Sequence, residues 1–309
     1  MSILFLSYDE RASRWLPHLE AAMPGREIQV WPEVEDLARV RYAVVCQPPA
    51  GVLKQCPNLE AVFSMWAGID HLKSDPERPP EIPVVRMVER GLSTGMCEYV
   101  TMQVLFHHRR MLDYREQQAR AEWKPLPLVP AWRRKVGIMG FGELGQLAAE
   151  KLVGLELDVA GWSRSPKSMD GVACYHGDDG LDAFLARSEI LVCLLPLTEA
   201  TRGILNAALF AKLPRGACLI NAARGGHLVD ADLLAALDSG QLDSASLDVF
   251  EPEPLPSDHP FWSRPRIVLT PHIAAGTLPE TASESIAANI ARHERGEPFD
   301  AVVDFSLGY

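Results

Sequence analysis

Three stretches with polar side chains of catalytic type each follow a short apolar run that is predicted to be a buried strand. They carry Arg224 after strand 217–221, Glu251 and Glu253 after strand 244–248, and His272 after strand 267–270. Because open parallel sheets bind ligands at the carboxyl ends of their strands, the three are expected to converge. An arginine can bind a carboxylate, a histidine can transfer a proton, and a neighbouring glutamate favours the protonated imidazole. Taken singly, each also has a structural interpretation: a surface arginine, a glutamate at a helix N-cap or a packed core histidine.

A glycine-rich turn upstream of these stretches predicts a dinucleotide site. The apolar run 136–139 ends in Gly140-x-Gly142-x-x-Gly145, and a helical pattern begins at once. The first glycine lets the chain reverse, the second lets the backbone approach a pyrophosphate, and the third lets the helix pack on the strand. Three glycines can also fall together in a loop by chance. The strand-like run 157–162 favours the dinucleotide interpretation, because it completes a βαβ unit.

The end of that second strand predicts which dinucleotide is bound. An NAD-binding unit usually has an aspartate or glutamate there, but this chain has Arg164 between Ser163 and Ser165, with Lys167 nearby. A guanidinium can bind a 2′-phosphate through two hydrogen bonds, and the serines can donate to it. We therefore expect NADP(H) to be preferred and NAD(H) to be used more weakly. A solvated basic loop is the structural alternative.

Composition and charge exclude several classes of partner. The 309 residues are 47% hydrophobic and carry a net charge of −11, which argues against general binding to nucleic acid or anionic membranes. The N-terminus lacks a basic segment and a signal-peptide core, and no run approaches the roughly 18 apolar residues that suggest a membrane span. Six scattered cysteines without a CxxC motif indicate reduced thiols and a cytoplasmic protein. No His, Cys or Asp cluster has metal-ligand spacing, so no metal is expected.

Strands that alternate with helices predict an α/β protein with covered parallel sheets. The predicted strands are 2–7, 42–46, 59–63 and 83–87, then 136–140, 157–162, 172–175, 190–194, 217–221, 244–248 and 267–270. A final helix over about 279–295 is expected to return the chain to the first domain. The predicted fold class is two Rossmann-like, doubly wound parallel-sheet domains, the first discontinuous. The substrate-binding domain comprises residues 1–97 plus 279–309, and the NAD(P)-binding domain comprises residues 98–278.

The segment between the two groups of strands is predicted to be helical. One long helix is expected over 94–118, with the basic quartet 107–110 interpreted as a solvated or inter-domain face. The prolines of 123–130 then break regular structure, which indicates a connecting arm.

Together the motifs resemble those of the D-isomer-specific 2-hydroxyacid dehydrogenases, and more narrowly the glyoxylate/hydroxypyruvate reductase A type. The resemblance covers nearly the whole chain. It rests on Gly140-x-Gly142-x-x-Gly145, Leu195-Pro196-Leu197-Thr198, Asn221-x-x-Arg224-Gly225, Asp248-Val249-Phe250-x-x-Glu253-Pro254 and Thr270-Pro271-His272. Trp66-Ala67-Gly68-Ile69-Asp70 and Trp162-Ser163-Arg164-Ser165 indicate the narrower type. One departure is Ala222-Ala223, since many relatives have a hydroxyl residue directly before the arginine.

The resemblance implies a role for each catalytic residue. Arg224 would bind the carboxylate and carbonyl oxygen of a 2-oxo acid, and His272 would protonate that oxygen as hydride arrives from the nicotinamide. Glu253, rather than Glu251, would orient His272. Asp248 would accept a hydrogen bond from the nicotinamide carboxamide, or else serve only as a strand-end turn carboxylate.

The resemblance also implies two sets of binding residues. The cofactor set is Gly140, Phe141, Gly142, Glu143, Leu144, Gly145, Ser163, Arg164, Ser165, Lys167, Leu195, Pro196, Thr201, Ala222, Ala223, Arg224, Asp248 and His272. The substrate set is Trp66, Ala67, Gly68 and Arg224, where a plain turn before a helix is the alternative for 66–68.

The expected function is NADPH-dependent reduction of small 2-oxo acids, such as glyoxylate and hydroxypyruvate, to glycolate and D-glycerate. The expected partners are the small acid and, from the resemblance alone, a second copy in a homodimer. A different class, the dinucleotide-sensing corepressor-like proteins on the same fold, stays open, since those proteins can retain all three catalytic residues.

Overall fold

The computed structural model describes residues 2–8, 10–73 and 75–305, with only the backbone for Asp70. The chain divides into two compact units, Met1–Ser93 with Gly276–Tyr309 and Thr94–Ala275. The two boundaries between the units lie a few residues before the predicted boundaries at 97 and 279. Residues 1 and 306–309 of the predicted first domain fall outside the described residues. The first boundary lies before residue 97 because Met96 and Cys97 are buried in a core of the second unit.

The first unit contains a parallel sheet of five strands. They are β1 (Ser2–Ser7), β2 (Glu27–Val30), β3 (Val40–Cys46), β4 (Ala61–Ser64) and β5 (Val84–Val85), in the order β2-β1-β3-β4-β5. Successive residues of each strand face opposite sides of the sheet. Ile3 and Phe5 therefore belong to one apolar core, and Leu4 and Leu6 belong to the other.

The second unit contains a parallel sheet of seven strands. They are β6 (Lys135–Met139), β7 (Asp158–Ser163), β8 (Val172–His176), β9 (Ile190–Cys193), β10 (Ala217–Asn221), β11 (Leu242–Leu247) and β12 (Ile267–Leu269). Their order, β12-β11-β10-β9-β6-β7-β8, reverses direction between β9 and β6, as in a Rossmann fold. Such a switch point opens a crevice at the carboxyl ends of the strands. The predicted fold class is confirmed.

Helices cover the faces of both sheets. They are α1 (Ala12–Ala22), α2 (Asp70–Lys73), α3 (Arg90–His108), α4 (Met111–Ala119), α5 (Glu143–Gly154), α6 (Gly177–Arg187), α7 (Ala207–Phe210), α8 (Asp230–Asp238) and α9 (Pro279–Glu294). Short 3₁₀ turns occupy Leu37–Arg39, Leu53–Gln55, Ala131–Arg133, Gly225–His227 and Pro260–Ser263.

One buried carboxylate of the first unit stabilises the starts of two helices. Glu89, which is 6% exposed, accepts from the N–H groups of Gly91 and Leu92 at the start of α3. It also accepts from the Leu278 N–H and the Thr281 hydroxyl at the start of α9. A carboxylate is favourable there, because the first N–H groups of a helix have no partner within it.

One expectation about secondary structure is wrong, and one strand was missed. The helix predicted over 94–118 is broken, since Arg110 takes a left-handed conformation (φ +56°) that ends α3 and starts α4. The strand β2 was not predicted, because its buried residue is the polar Gln29. That side chain donates to Ser2 Oγ at 2.7 Å and accepts from the Glu35 N–H at 2.9 Å.

The basic quartet 107–110 is also not a uniform solvated face. His107 and His108 are both 7% exposed, whereas Arg109 and Arg110 are exposed. The His107 ring lies between two serine hydroxyls of β11, with Nε2 2.8 Å from Ser246 Oγ and Nδ1 3.0 Å from Ser244 Oγ. The quartet therefore divides where α3 ends, into two packed histidines and two surface arginines.

The buried His107 predicts that stability falls in mild acid. Burial lowers the pKa of His107 to about 4, below the value of ~6.5 for a free histidine. Below about pH 6.5 the unfolded chain binds a proton at this histidine, whereas the folded chain binds it only near pH 4. The free energy of unfolding therefore decreases as the pH falls from about 6.5 to about 4, and this histidine does not affect it above about pH 6.5. The loss should reach about 3 kcal/mol.

Urea unfolding at several pH values from about 7 to about 4 measures this loss. His107→Gln should lack this component of the pH dependence, and His176→Gln, at an exposed position, should retain it. An equal pH dependence in the wild type and His107→Gln would show that another group is responsible.

Candidate active site

The glycine-rich turn after β6 has the shape that a pyrophosphate requires. Gly140 has φ +107°, and a Cβ built there would lie 2.6 Å from the main chain of Leu194. A Cβ on Gly145 would lie 2.3 Å from the Gly140 carbonyl oxygen, so α5 packs directly on the turn. Gly142 is the N-cap of α5, and nothing lies within 4 Å of a Cβ built there. This open space in front of a helix N-terminus fits an anionic group.

The neighbouring residues of the turn divide between core and surface. Phe141 is 1% exposed, and its N–H donates to the Trp162 carbonyl at 3.0 Å. A Cβ on Gly161 would lie 2.3 Å from the Phe141 ring, so that ring anchors the turn to β7. Leu144 packs partly against the core, whereas Glu143 is exposed at the first turn of α5. Phe141 can therefore meet a ligand only through its backbone.

The carboxyl end of β7 offers cations and hydroxyls. Ser163 ends the strand and donates from Oγ to the Ser165 carbonyl at 2.8 Å, which shapes the loop. Arg164 and Lys167 are exposed beside it. Asp158 begins the strand and lies at its opposite end. No carboxylate of β7 is thus placed to accept from a ribose 2′-hydroxyl.

The loop after β9 is folded by one threonine. Thr201 Oγ1 donates to the Pro196 carbonyl at 2.7 Å and accepts from the Thr198 N–H at 2.8 Å. Leu195 is 8% exposed and packs into the core. The Thr201 hydroxyl is therefore used within the protein to hold the loop together.

The loop after β10 holds Arg224 through its backbone. The buried Asn221 donates from Nδ2 to the Arg224 carbonyl at 3.1 Å and accepts from the Ala223 N–H at 3.2 Å. Arg224 is half-buried, and its Nη1 donates to the Ala223 carbonyl at 2.6 Å. A Cβ on Gly225 would lie 1.9 Å from the Phe250 carbonyl carbon, so only glycine allows the two loops to meet.

Glu253 and His272 are brought together by the loops after β11 and β12. His272 Nδ1 lies 2.8 Å from Glu253 Oε2, and the other carboxylate oxygen accepts from the Phe250 N–H at 2.8 Å. Glu251 instead pairs with Arg202 at 2.7 Å. The His272 side chain is 47% exposed. Since Nδ1 is bonded to the carboxylate, Nε2 is the nitrogen left for a substrate.

The loop that carries His272 is fixed by Asp248. The His272 N–H donates to the Asp248 carbonyl at 2.8 Å. The Asp248 carboxylate accepts from the Thr270 hydroxyl (2.6 Å) and from the N–H groups of Ile273 (2.9 Å) and Ala274 (2.8 Å). His272 itself has φ +54°, a left-handed conformation that costs about 1–2 kcal/mol for a residue with a Cβ. Asp248 thus holds a strained loop in place.

Asp248 has no exposed surface. A hydrogen bond from a carboxamide to this carboxylate would therefore require the surrounding residues to move. The geometry supports the strand-end alternative, in which Asp248 positions the loop, and the carboxamide contact stays a prediction.

Comparison with known proteins identifies the family. The profile described as "D-isomer specific 2-hydroxyacid dehydrogenase, NAD binding domain" matches residues 101–274. The glyoxylate/hydroxypyruvate reductase A of Yersinia enterocolitica is 42% identical over the whole of both chains, and that of Salmonella newport is 43% identical. The chain belongs to the D-isomer specific 2-hydroxyacid dehydrogenase family.

Solved structures of family members have the same fold. A D-isomer specific 2-hydroxyacid dehydrogenase from Xanthobacter autotrophicus, in complex with NADPH and MES, is 41% identical. It superimposes with a TM-score of 0.96 over 100% of this chain and 99% of its own. The NADPH-dependent glyoxylate/hydroxypyruvate reductase from Sinorhizobium meliloti, in complex with NADP and sulfate, is 43% identical, with a TM-score of 0.94 over all of both chains.

The family's NAD binding domain falls within the second unit, Thr94–Ala275. That unit is a dinucleotide-binding domain. Its predicted site residues follow or end six different strands at the carboxyl edge of one sheet: Gly140 after β6, Ser163 on β7, Leu195 after β9, Ala222 after β10, Asp248 after β11 and His272 after β12. Their individual contacts with the dinucleotide stay predictions.

The predicted substrate residues Trp66, Ala67 and Gly68 lie in the first unit, directly after β4. The Trp66 carbonyl accepts from Ser64 Oγ at 2.8 Å and from the Met87 N–H at 3.2 Å. The Trp66 ring packs edge-to-face on His71 with their centroids 5.0 Å apart. The turn is thus firmly placed, and its contact with a substrate stays a prediction.

The structure gives roles to two residues for which the sequence predicted none. Asn221 holds the Arg224 loop, and the hydroxyl of Tyr99 lies 2.8 Å from that of Thr270. No local pattern marks Tyr99, because its partner is far away in the chain.

The described part of the chain contains neither a helix long and apolar enough to cross a membrane nor a group of three or more His, Cys, Asp or Glu side chains placed to hold a metal ion.

Proposed function

We propose that this chain reduces glyoxylate and hydroxypyruvate to glycolate and D-glycerate with NADPH. The observation that carries the proposal is the Glu253–His272 pair, held at the same sheet edge as the Arg224 loop and the glycine-rich turn. Relatives named glyoxylate/hydroxypyruvate reductase A, at 42–43% identity over the whole chain, support the substrate class. None of the relatives described above is a corepressor, so the alternative of a dinucleotide-sensing protein gains no support.

The residues divide the proposed chemistry among them. The nicotinamide, when bound, supplies the hydride. Arg224 binds the carboxylate and the carbonyl oxygen of the 2-oxo acid and so polarises the carbonyl. His272 gives the proton on Nε2 to that oxygen, which becomes the hydroxyl of the product. Glu253 bonds Nδ1 and so holds the imidazole with Nε2 available to the substrate.

The first unit is proposed to bind the substrate. The backbone N–H groups of Ala67 and Gly68 would donate to its carboxylate, and Trp66 would form an apolar wall. Support comes from the firm placement of the turn by its Ser64 and Met87 contacts.

The functional proposal is tested by following NADPH absorbance in the presence of a panel of 2-oxo acids. We expect glyoxylate and hydroxypyruvate to be reduced and His272→Ala protein, purified in the same way, to be nearly inactive. Tight NADPH binding without reduction of any 2-oxo acid would overturn the proposal and favour the sensing alternative.

Arg164 is expected to determine the choice of cofactor. Because a charge-assisted contact to the 2′-phosphate is worth about 1.5–3 kcal/mol, kcat/KM with NADPH should exceed that with NADH by well over ~10-fold. Arg164→Asp should reverse the preference, since a carboxylate repels the phosphate and can accept from the ribose of NADH.

The control for this prediction is Arg215→Asp, at an exposed arginine before β10, which should leave the ratio unchanged. Equal kcat/KM values for the two cofactors in the wild type would contradict the role of Arg164.

A homodimer is implied only by the resemblance and a cytoplasmic location only by the scattered cysteines, and both stay predictions. The arm that follows α4 carries candidate contacts for a second copy, since Trp123 is fully exposed and Leu128 and Trp132 are 67% and 65% exposed. Exposed large apolar side chains that lie close together in sequence are typical of association surfaces.

A further inference from the structure

The hydroxyl of Thr270 is hydrogen-bonded to a residue of α3. Thr270 Oγ1 lies 2.6 Å from Asp248 Oδ1 and 2.8 Å from the hydroxyl of Tyr99. An ionised carboxylate can only accept, so the single hydroxyl hydrogen of Thr270 points to Asp248. Tyr99 must therefore donate its own hydrogen to Thr270.

The side chains that follow Tyr99 on the same face of α3 are held by β11. Gln103 Oε1 accepts from Ser246 Oγ at 2.8 Å. Because Ser246 has a single hydroxyl hydrogen, it must accept from Nε2 of His107, also at 2.8 Å. Gln103 and His107 thus attach the helix that carries Tyr99 to the strand that precedes Asp248.

The three side chains of α3 are buried and keep their protonation. Tyr99, Gln103 and His107 are spaced four residues apart on one face of α3 and are 3–7% exposed. Burial raises the pKa of Tyr99 to about 12, so the phenol remains a donor across the neutral range. Burial lowers the pKa of His107 to about 4, so the ring is neutral there and carries one N–H. Tyr99 is therefore a buried, permanent donor to the Thr270 hydroxyl, and a buried, satisfied hydrogen-bond network is rigid.

We propose that Tyr99 is a positioning residue for His272. Through Thr270 it fixes the Asp248 carboxylate, and the carboxylate fixes the strained loop that presents the imidazole. The kinetic consequence rests on the proposed function, whereas the effect on the loop does not.

Amide hydrogen exchange at Ile273 and Ala274, followed by NMR, tests the effect on the loop. Both N–H groups donate to Asp248, so Tyr99→Phe and Thr270→Val should each speed their exchange about tenfold, as expected for the loss of one net hydrogen bond. Thr270→Ser keeps Oγ and should exchange like the wild type.

Tyr42→Phe is the matched control. Tyr42 is a buried tyrosine of the first unit whose hydroxyl lies 3.0 Å from His293 Nδ1. Its replacement removes a comparable hydrogen bond and should leave the exchange at 273 and 274 and the kcat unchanged.

Steady-state kinetics test the consequence for catalysis. Tyr99→Phe and Thr270→Val should each lower kcat for glyoxylate by about tenfold, while the KM for NADPH changes by less than about twofold. Thr270→Ser should retain the kcat of the wild type. The double variant should match Thr270→Val alone, since both changes act through one path.

Unchanged exchange at both amides in Tyr99→Phe and Thr270→Val overturns the proposal. So does faster exchange with a normal kcat, which would leave Tyr99 a structural role only. If the wild type reduces no 2-oxo acid, the proposed function fails, and the exchange result still decides whether Tyr99 holds the loop.

Discussion

His272→Ala is expected to lower kcat for glyoxylate reduction by about 10²–10⁴, the usual contribution of general acid catalysis. The alanine protein has no proton to give to the carbonyl oxygen as hydride arrives. Its affinity for NADPH should change little, because the proposed dinucleotide contacts lie mainly on the turn Gly140–Gly145 and at Arg164. Steady-state kinetics and an NADPH fluorescence titration measure the two effects separately.

Two neighbouring glutamates supply a matched control for this role of His272. Glu253 bonds the imidazole, whereas Glu251 pairs with Arg202. Glu253→Gln should therefore reduce kcat, and Glu251→Gln should not. Near-normal reduction of glyoxylate by His272→Ala would contradict the proposed mechanism. Equal effects of Glu253→Gln and Glu251→Gln on kcat would show that Glu253 has no specific role beside His272.

The central strands of the second sheet were predictable because they are buried on both faces. Runs such as 190–193 and 217–221 are nearly continuous in apolar residues, and glycines mark the turn after β6. The same rule placed Arg224, Glu253 and His272 at one edge, since parallel strands end on one side of a sheet. The three proposed catalytic residues were therefore the easiest to place.

Features that depend on distant partners were not predictable. The strand β2 forms because it pairs with β1 and because Gln29 bonds Ser2, and neither fact leaves an apolar pattern. The break at Arg110 separates two segments that both have helical periodicity, so local propensity gives no warning. The burial of His107 depends on serines more than 130 residues away in the chain.

The roles of individual polar residues were predictable only in part. The expectation that Glu253 meets His272 came from the resemblance, and the structure places them 2.8 Å apart. For Asp248 the sequence left two possibilities open, a cofactor contact or a structural turn. Only the structure shows that both carboxylate oxygens of Asp248 accept hydrogen bonds from the loop that carries His272.

Arg224→Lys is expected to lower kcat/KM for glyoxylate by about 10²–10³, the cost of removing one positioned donor at a developing oxyanion. An ammonium cannot reproduce the planar contact of a guanidinium to the carboxylate and the carbonyl oxygen together. Since the carboxylate contact serves substrate binding and the carbonyl contact serves the transition state, KM should rise and kcat should fall. Arg264→Lys is the matched control, because that arginine pairs with Asp238 on the surface of the same unit and should be replaceable without loss. A rise in KM at unchanged kcat would show that Arg224 only binds the carboxylate, and some other group would then have to polarise the carbonyl.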